Sequence, residues 1–287
     1  MFLITGATGR TGGAAARELA KRGLPVRALV RNAEKAAPLK AAGVELALGD
    51  ASNREALAAA LQGVNKLLIC LPNGEQQLAI EKGLTDAAVA AGVPHILKIS
   101  SMEAAPHMHS ATHQTHWQSE EHIRRSGAAW TMVRPSFYMQ NFLASSATIK
   151  SEGKFYFPFG DKGAAVLTDS RDAGFFAAHV MATAGHEGKS YDVTSRDKPS
   201  FHQVAETFTR VLGRKIEYVP QDPVAYRAYL GKFIASKWHL DAVCEIFAEI
   251  ARGYTVDCTD TFKQVTGREP MSLERFIREY LAIYQPA

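Results

Sequence analysis

Two short stretches concentrate the residue types that could do chemistry. The first, "TGATGRTGG" over residues 5–13, sets Gly6, Gly9 and Gly12 three apart, between an apolar run and an Ala-rich segment. Gly6 permits a tight turn. Gly9 lets backbone N–H groups approach a pyrophosphate. Gly12 lets the following helix sit close to the sheet, and the amino end of that helix favours an anion. With a strand before it and a helix after it, this spacing predicts dinucleotide binding. The second stretch, "HMHSATHQTHWQSEEH" over 107–122, holds His107, His109, His113, His116 and His122, five of the ten histidines.

The end of the second apolar run bears on which dinucleotide is taken. An NAD site needs an acid about 20 residues past the glycine loop to accept from the ribose hydroxyls. Here Arg31 stands in that place, followed by Asn32 and Lys35, with Arg10 inside the loop. A guanidinium suits a 2′-phosphate through charge-assisted, bidentate bonds, so the expected cofactor is NADP(H). The plain alternative for Arg31 is a surface arginine at a strand end. Asp50, at the end of the third run, is placed to meet the adenine edge, and "GDASN" around it also reads as the entry to a helix.

These residues need a frame. Apolar, β-like runs at 2–5, 25–30, 43–50, 64–71, 93–101 and 129–135 alternate with helical stretches at about 12–22, 33–42, 53–62 and 75–92. Regular alternation predicts an α/β fold, a Rossmann-type doubly wound parallel sheet, and mostly continuous apolar runs suit strands covered on both faces. After about residue 143 the rhythm loosens. "KFYFPFG" (154–160), a helix over 170–185, "KSYDVTS", a helix from Ser200 to Gly213, "KIEYVP" and a helical tail from 222 predict a smaller C-terminal α+β lobe. The division is drawn at 1–153 and 154–287, with room for strands of the second half to return to the main sheet.

Composition narrows the function classes. The 287 residues carry a net charge of +4, with no run of like charge that would favour nucleic acid. No apolar run approaches the roughly 20 residues needed to span a bilayer. The opening "MFLITGATG" has no leader pattern. Cys70, Cys244 and Cys258 are scattered and odd in number, which predicts reduced thiols in a cytoplasmic protein.

The chain resembles the NmrA-like group of atypical short-chain dehydrogenases. The likeness rests on "TGATGRTGG", "ALVRN", "LALGD", "AAVAAGVPHILKISS", "GAAWTMVRPSFYMQNF", "GHEGKSYDVT" and "VLGRKIEYV", and is weakest over 222–260. It implies a Rossmann domain with a small lobe and a nicotinamide between them. It also implies either an NADPH-dependent reductase of quinones, azo or triphenylmethane dyes or iminium alkaloids, or a sensor that binds the dinucleotide without catalysis. Position by position, it implies that Gly6, Thr8, Gly9, Arg10, Thr11 and Gly12 hold the pyrophosphate and Arg31 the 2′-phosphate. Leu71 and Pro72 would border the adenosine ribose, and Ser100 and Ser101 the nicotinamide ribose. Pro135, Ser136, Phe137 and Tyr138 would flank the nicotinamide ring.

In ordinary short-chain dehydrogenases the helix after the fifth strand carries Tyr-x-x-x-Lys, which supplies the proton. None of the nine tyrosines here has a lysine four residues later. The histidine segment falls on that helix, with His116 and Glu120 on one face at i and i+4. It has three readings: a metal site, which lacks H-E-x-x-H spacing and a second ligand cluster; a substrate or catalytic site built on His116; or a solvent-facing loop and helix. Tyr226, Tyr229 and Phe233, at i, i+3 and i+7, read either as lobe core or as a platform for a flat substrate, and Trp117 carries the same ambiguity. The expected function is hydride transfer from NADPH to a small aromatic or conjugated acceptor, with His116 and Tyr138 at the reaction site and no metal. The alternative is a non-catalytic NADP(H) sensor acting through a protein partner. Neither nucleic acid nor membrane is an expected partner, and the chain is expected to be a monomer or homodimer.

Overall fold

The structure is a computed structural model that describes residues 1–254 and 256–286. In chain order the strands are β1 (Phe2–Ile4), β2 (Val26–Val30), β3 (Glu45–Leu48), β4 (Lys66–Ile69), β5 (His95–Ile99), β6 (Ala129–Pro135), β7 (Phe137–Tyr138), β8 (Lys154–Phe157), β9 (Leu167–Thr168), β10 (Lys189–Val193) and β11 (Glu217–Pro220). The helices are α1 (Arg10–Lys21), α2 (Ala37–Ala41), α3 (Arg54–Ala60), α4 (Gln77–Ala90), α5 (Ala111–Arg124), α6 (Ser146–Glu152), α7 (Ser170–Ala182), α8 (Phe201–Leu212), α9 (Pro223–Leu230), α10 (Lys237–Ala251), α11 (Thr261–Thr266), α12 (Leu273–Glu279) and α13 (Leu281–Tyr284). They form two compact units that interleave along the chain. One comprises 1–107, 113–135 and 170–193, and the other 108–112, 136–169 and 194–287.

The first unit is the Rossmann-type parallel sheet expected from the alternation. Its seven strands run in the order β3-β2-β1-β4-β5-β6-β10, every neighbour parallel. The last strand, β10, comes from the later half of the chain and pairs with β6 from Lys189↔Thr131 to Val193↔Pro135. Strand residues of one parity, Leu3, Leu67, Ile96 and Met132, pack with Leu57, Leu84 and Ile123 of α3, α4 and α5. Those of the other parity, Ile4, Ala28, Leu68, Leu97 and Val133, are buried as well. Both faces are therefore covered, which is why the strands carry so few polar residues. Strand order reverses between β1 and β4, the place where open α/β sheets bind ligands beyond the carboxyl ends of their strands.

The second unit is an α+β lobe. It holds the parallel pair β8–β11, the short pair β7–β9 and the helical tail. Phe142, Phe155, Phe159, Phe201, Phe208 and Phe276 form the centre of its core. Ser200 caps α8 with a reciprocal Ser200–Gln203 box, and Gly213 closes that helix in the left-handed conformation at φ 67°. Among the described residues, the tail from 222 is helical in five segments, α9 to α13. Among the described residues no helix is long and apolar enough to cross a membrane.

Candidate functional site

The glycine loop lies at the carboxyl end of β1, beside the point where strand order reverses. Thr5 fixes the exit: its hydroxyl donates to Leu68 O (3.1 Å) and accepts from Cys70 N (3.0 Å). Gly6 is at φ +63°, and a Cβ there would lie 1.8 Å from the Cys70 carbonyl oxygen. A Cβ at Gly12 would meet Gly6 O at 2.6 Å. The fold itself demands both glycines. Gly9 differs. Its φ of −82° and ψ of 177° suit any residue, and an added Cβ would touch Gly6 O alone, at 3.1 Å. The fold constrains Gly9 less than Gly6 or Gly12, by one close backbone contact, and the position is exposed. Helix α1 begins at this glycine with no side-chain cap and no acid in its first turn. Thr8, Gly9 and Arg10 are exposed, whereas Thr11 and Gly12 are buried. An uncapped helix amino end on an open glycine turn can receive an anionic diphosphate.

Arg31 and Asp50 follow β2 and β3. The two strands pair up to Val30↔Leu48, and Gly49 N donates to Val30 O at 3.0 Å. The Arg31 side chain is 80% exposed, with Nη1 3.8 Å from Asp50 Oδ2. Asp50 Oδ1 accepts from the Ser52 amide (2.9 Å) and hydroxyl (2.6 Å). Those two bonds, with Arg31 adding to them, hold its carboxyl below the usual range. The cap of α3 is Asn53, whose side chain accepts from Ala56 N.

The remaining strand ends in this unit carry Leu71, half-buried, and Pro72, exposed, after β4. Ser100 and Ser101 follow β5. The Ser100 hydroxyl is buried and, among the described residues, has no hydrogen-bond partner. Ser101 donates to the Glu103 carboxylate. Pro135, buried, ends β6, and its carbonyl accepts from Met102 N at 3.0 Å.

The histidine segment divides. His107 and His109 are exposed, and His122 Nε2 lies 2.7 Å from Asp86 Oδ1. His113, His116 and Glu120 are buried, with Glu120 at 0% exposure, so this part of α5 does not face water as the third reading expects. Glu120 is also not the partner of His116. It accepts from Arg134 Nε (2.8 Å) and Nη2, and from Arg124 Nη2 (2.8 Å). The His116 Nδ1 is buried and unpartnered among the described residues. Burial, then the charges of Lys98 and His113, push its pKa well below the ordinary imidazole range, so it is neutral at physiological pH. Among the described residues no three His, Cys, Asp or Glu side chains are grouped to hold a metal ion.

Two further features lie beyond what the local sequence announces. Lys98 and Glu81 form an ion pair at 2.5 Å with neither side chain exposed, and Gln77 Nε2 donates to the second Glu81 oxygen at 3.0 Å. The signal was a lysine inside the apolar run "HILKI", where snorkelling to solvent is blocked on both faces. Near Lys98, Cys70 is pushed up to about 11 by burial, so its thiol is not a nucleophile at neutral pH. The second feature is the entry to α5. In the second unit, Glu249 Oε1 accepts from His109 N (3.0 Å) and Ser110 N (3.1 Å), and Glu245 Oε2 from Ala111 N (3.2 Å). No local pattern reveals that cap, because both acids lie on α10.

The second unit also holds Ser136, Phe137 and Tyr138. Ser136 N donates to Thr168 Oγ1 at 3.1 Å. The Phe137 ring sits 5.8–6.2 Å from those of Phe142, Phe157, Phe159 and Phe201, which anchors it in the lobe core. Tyr138 is half-buried. The aromatic stripe splits along its length: Tyr226 packs on Phe157 and Phe247, whereas Tyr229 and Phe233 are 50% and 70% exposed. Trp117, in the first unit, is half-buried.

Residues 1–277 match the model of the NmrA-like family. The chain is 33% identical over 288 residues to the NAD(P)H azoreductase of Xenophilus azovorans, covering 100% of both chains. It is 30% identical over 292 residues to the (4-alkanoyl-5-oxo-2,5-dihydrofuran-3-yl)methyl phosphate reductase of Streptomyces griseus, again covering 100% of both. The crystal structure of the NADPH-dependent quinone oxidoreductase of Escherichia coli in complex with NADPH matches with a TM-score of 0.88 at 28% identity, covering 98% of this chain and 100% of that one.

Proposed function

Because this chain belongs to the NmrA-like family, we propose that it is an NADPH-dependent reductase of flat, electron-poor small molecules: a quinone, an azo compound or an iminium. The observation that carries the reading is the end-to-end likeness to an azoreductase, without gaps in coverage on either side. The glycine loop adds support, since its exposed turn at Thr8–Arg10 opens on the uncapped amino end of α1.

In this reading the amides of 7–12 and the amino end of α1 hold the pyrophosphate, with Thr8, Arg10 and Thr11 around it. Arg31 takes the 2′-phosphate, Asp50 lies toward the adenine, and Leu71 and Pro72 border the adenosine. Ser100 offers its unpartnered hydroxyl to the nicotinamide ribose, and Ser101 lies next to it. When bound, the reduced nicotinamide supplies a hydride. The chain has no Tyr-x-x-x-Lys, and His116 is neutral. A neutral imidazole can donate or accept one hydrogen bond but is a poor acid. The acceptor must therefore manage without a strong protein acid. An iminium is neutralised by hydride alone, and a quinone spreads the charge it gains and takes its proton from water. An unactivated ketone leaves an alkoxide that needs a donor or an oxyanion site. The protein's work is placement and exclusion of water, with Pro135 at the end of β6 beside the ring.

The test is NADPH consumption by the purified chain against quinones, azo compounds, iminium ions, simple ketones and aldehydes. Turnover of the first three groups and little of the last two is expected. Fast reduction of simple ketones would overturn the mechanism. Consumption by no acceptor, with unequal affinities for NADP⁺ and NADPH, would replace the reductase with a sensor.

A further inference from the structure

The guanidinium read as the 2′-phosphate partner, Arg31, has a carboxylate beside it. Arg31 Nη1 and Asp50 Oδ2 stand 3.8 Å apart at the ends of neighbouring parallel strands. Backbone geometry brings the two residues close. The β2–β3 register ends at Val30↔Leu48, so Arg31 emerges beside Gly49, with Asp50 the next residue along. Gly49 cannot be replaced without moving α3, because a Cβ there would lie 2.4 Å from that of Ala56. The Asp50 carboxylate is then held in place by the Ser52 amide and hydroxyl through its other oxygen. The oxygen facing Arg31 is the one left over.

Such a carboxylate acts on the two nicotinamide dinucleotides unequally. A 2′-phosphate brings nearly two negative charges to Arg31. It must share that guanidinium with Asp50 and sit within a few ångströms of a second anion. A 2′-hydroxyl brings no charge, and an ionised carboxylate nearby can accept a hydrogen bond from it. We propose that Asp50 is a cofactor-specificity residue, whose fixed charge beside Arg31 narrows the preference for NADPH over NADH and leaves both usable. The inference rests on the dinucleotide reading of the site and goes beyond it by assigning Asp50 a role opposed to that of Arg31.

The magnitude is bounded by exposure. Asp50 is 43% exposed, so water and salt screen it. A charge pair a few ångströms apart at the surface then changes affinity by about 3- to 10-fold. Asp50→Asn is the direct test, because an amide oxygen can still accept from Ser52 and preserve the turn. Asp50→Ser removes the charge with a smaller polar group and guards against an effect special to Asn. Dissociation constants for NADPH and NADH are measured on the full chain by fluorescence titration, at low salt and at 0.3 M salt.

Both variants should bind NADPH about 3- to 10-fold more tightly and NADH no more tightly than the parent, with the gain in NADPH affinity shrinking at high salt. An unchanged NADPH-to-NADH ratio would overturn the inference alone. So would an equal loss for both cofactors, which would leave Asp50 with its contact to the shared adenine alone. Failure of the unmodified chain to bind either dinucleotide would overturn the reading of the site itself.

Discussion

Lys98 Nζ donates to Glu81 Oε2 at 2.5 Å, and neither side chain has any exposed surface. The pair joins β5 to α4 inside the sheet-facing layer, directly below the serines that end β5. Two charges at that depth are tolerated only together. Removing one leaves the other desolvated and uncompensated, at a cost of about 3–5 kcal/mol. Lys98→Met and Glu81→Gln should each lower the unfolding free energy by that amount in urea titrations. Lys98→Met combined with Glu81→Leu should recover most of it. Losses below about 1 kcal/mol in both single variants would mean that the pair does not bear on stability.

The two outer positions of the glycine turn and its middle one should separate. Gly6→Ala forces a left-handed backbone and a clash with the Cys70 carbonyl, costing on the order of 3 kcal/mol. Gly9→Val keeps an ordinary backbone conformation and meets a single atom at 3.1 Å, so the protein should fold. It should nevertheless lose dinucleotide binding, because the branched side chain fills the approach to the loop amides. Thermal unfolding and cofactor titration measured on the same samples check both halves. Normal affinity in Gly9→Val would reduce the loop to a turn.

Arg31→Glu should weaken NADPH by about 10²-fold, the loss of a charge-assisted pair with repulsion added, and NADH by far less. Equal weakening would place the 2′-phosphate elsewhere.

His116 is buried, neutral and without a hydrogen-bond partner among the described residues. Its imidazole should show no titration between pH 6 and 8 by NMR. His116→Ala should reduce kcat/KM by no more than about 10²-fold, with an unchanged pH profile over that range. Complete loss of turnover with cofactor binding intact would make His116 an essential acid or base.

His95 should make the protein sensitive to acid. Its Nε2 donates to Thr131 Oγ1 at 2.9 Å, since that hydroxyl spends its own proton on His186 O. Its Nδ1 is buried without a hydrogen-bond partner among the described residues. Burial, with Lys66 nearby, depresses its pKa to about 4. The unfolded chain binds a proton near pH 6.5 that the folded chain refuses until about 4. Stability is therefore full above pH 6.5 and falls as the pH drops through that window. The loss reaches about 2 kcal/mol by pH 5. Urea midpoints at pH 7 and pH 5 should differ more for the parent than for His95→Gln by that amount. Equal differences would remove His95 as the source.

Much of the fold was legible because its signals are local. Apolar runs alternating with Ala-rich stretches specify strands and helices one element at a time, and Gly6 and Gly12 announce a turn that leaves no room for a side chain at either position. Arg31 and Asp50 were legible as strand-end residues. That they oppose each other at 3.8 Å was not, because β2–β3 register is set by pairing across residues far apart in sequence. The later half of the chain also resisted division into lobes. Lys189–Val193 reads as one more short strand, and only the open edge of β6 determines that it completes the main sheet.

The histidine segment marks the limit most sharply. Sequence alone determined that the helix after the fifth strand lacks a Tyr-x-x-x-Lys and carries imidazoles instead. Tertiary structure alone decided that His116 is buried while His107 and His109 are not. It also decided that Glu120 belongs to Arg134 and Arg124, and that acids from α10 cap the helix. The reason is physical. Backbone conformation follows from neighbours within a few residues, whereas desolvation and charge pairing depend on groups that folding brings together, some, like the acids of α10, from more than a hundred residues away.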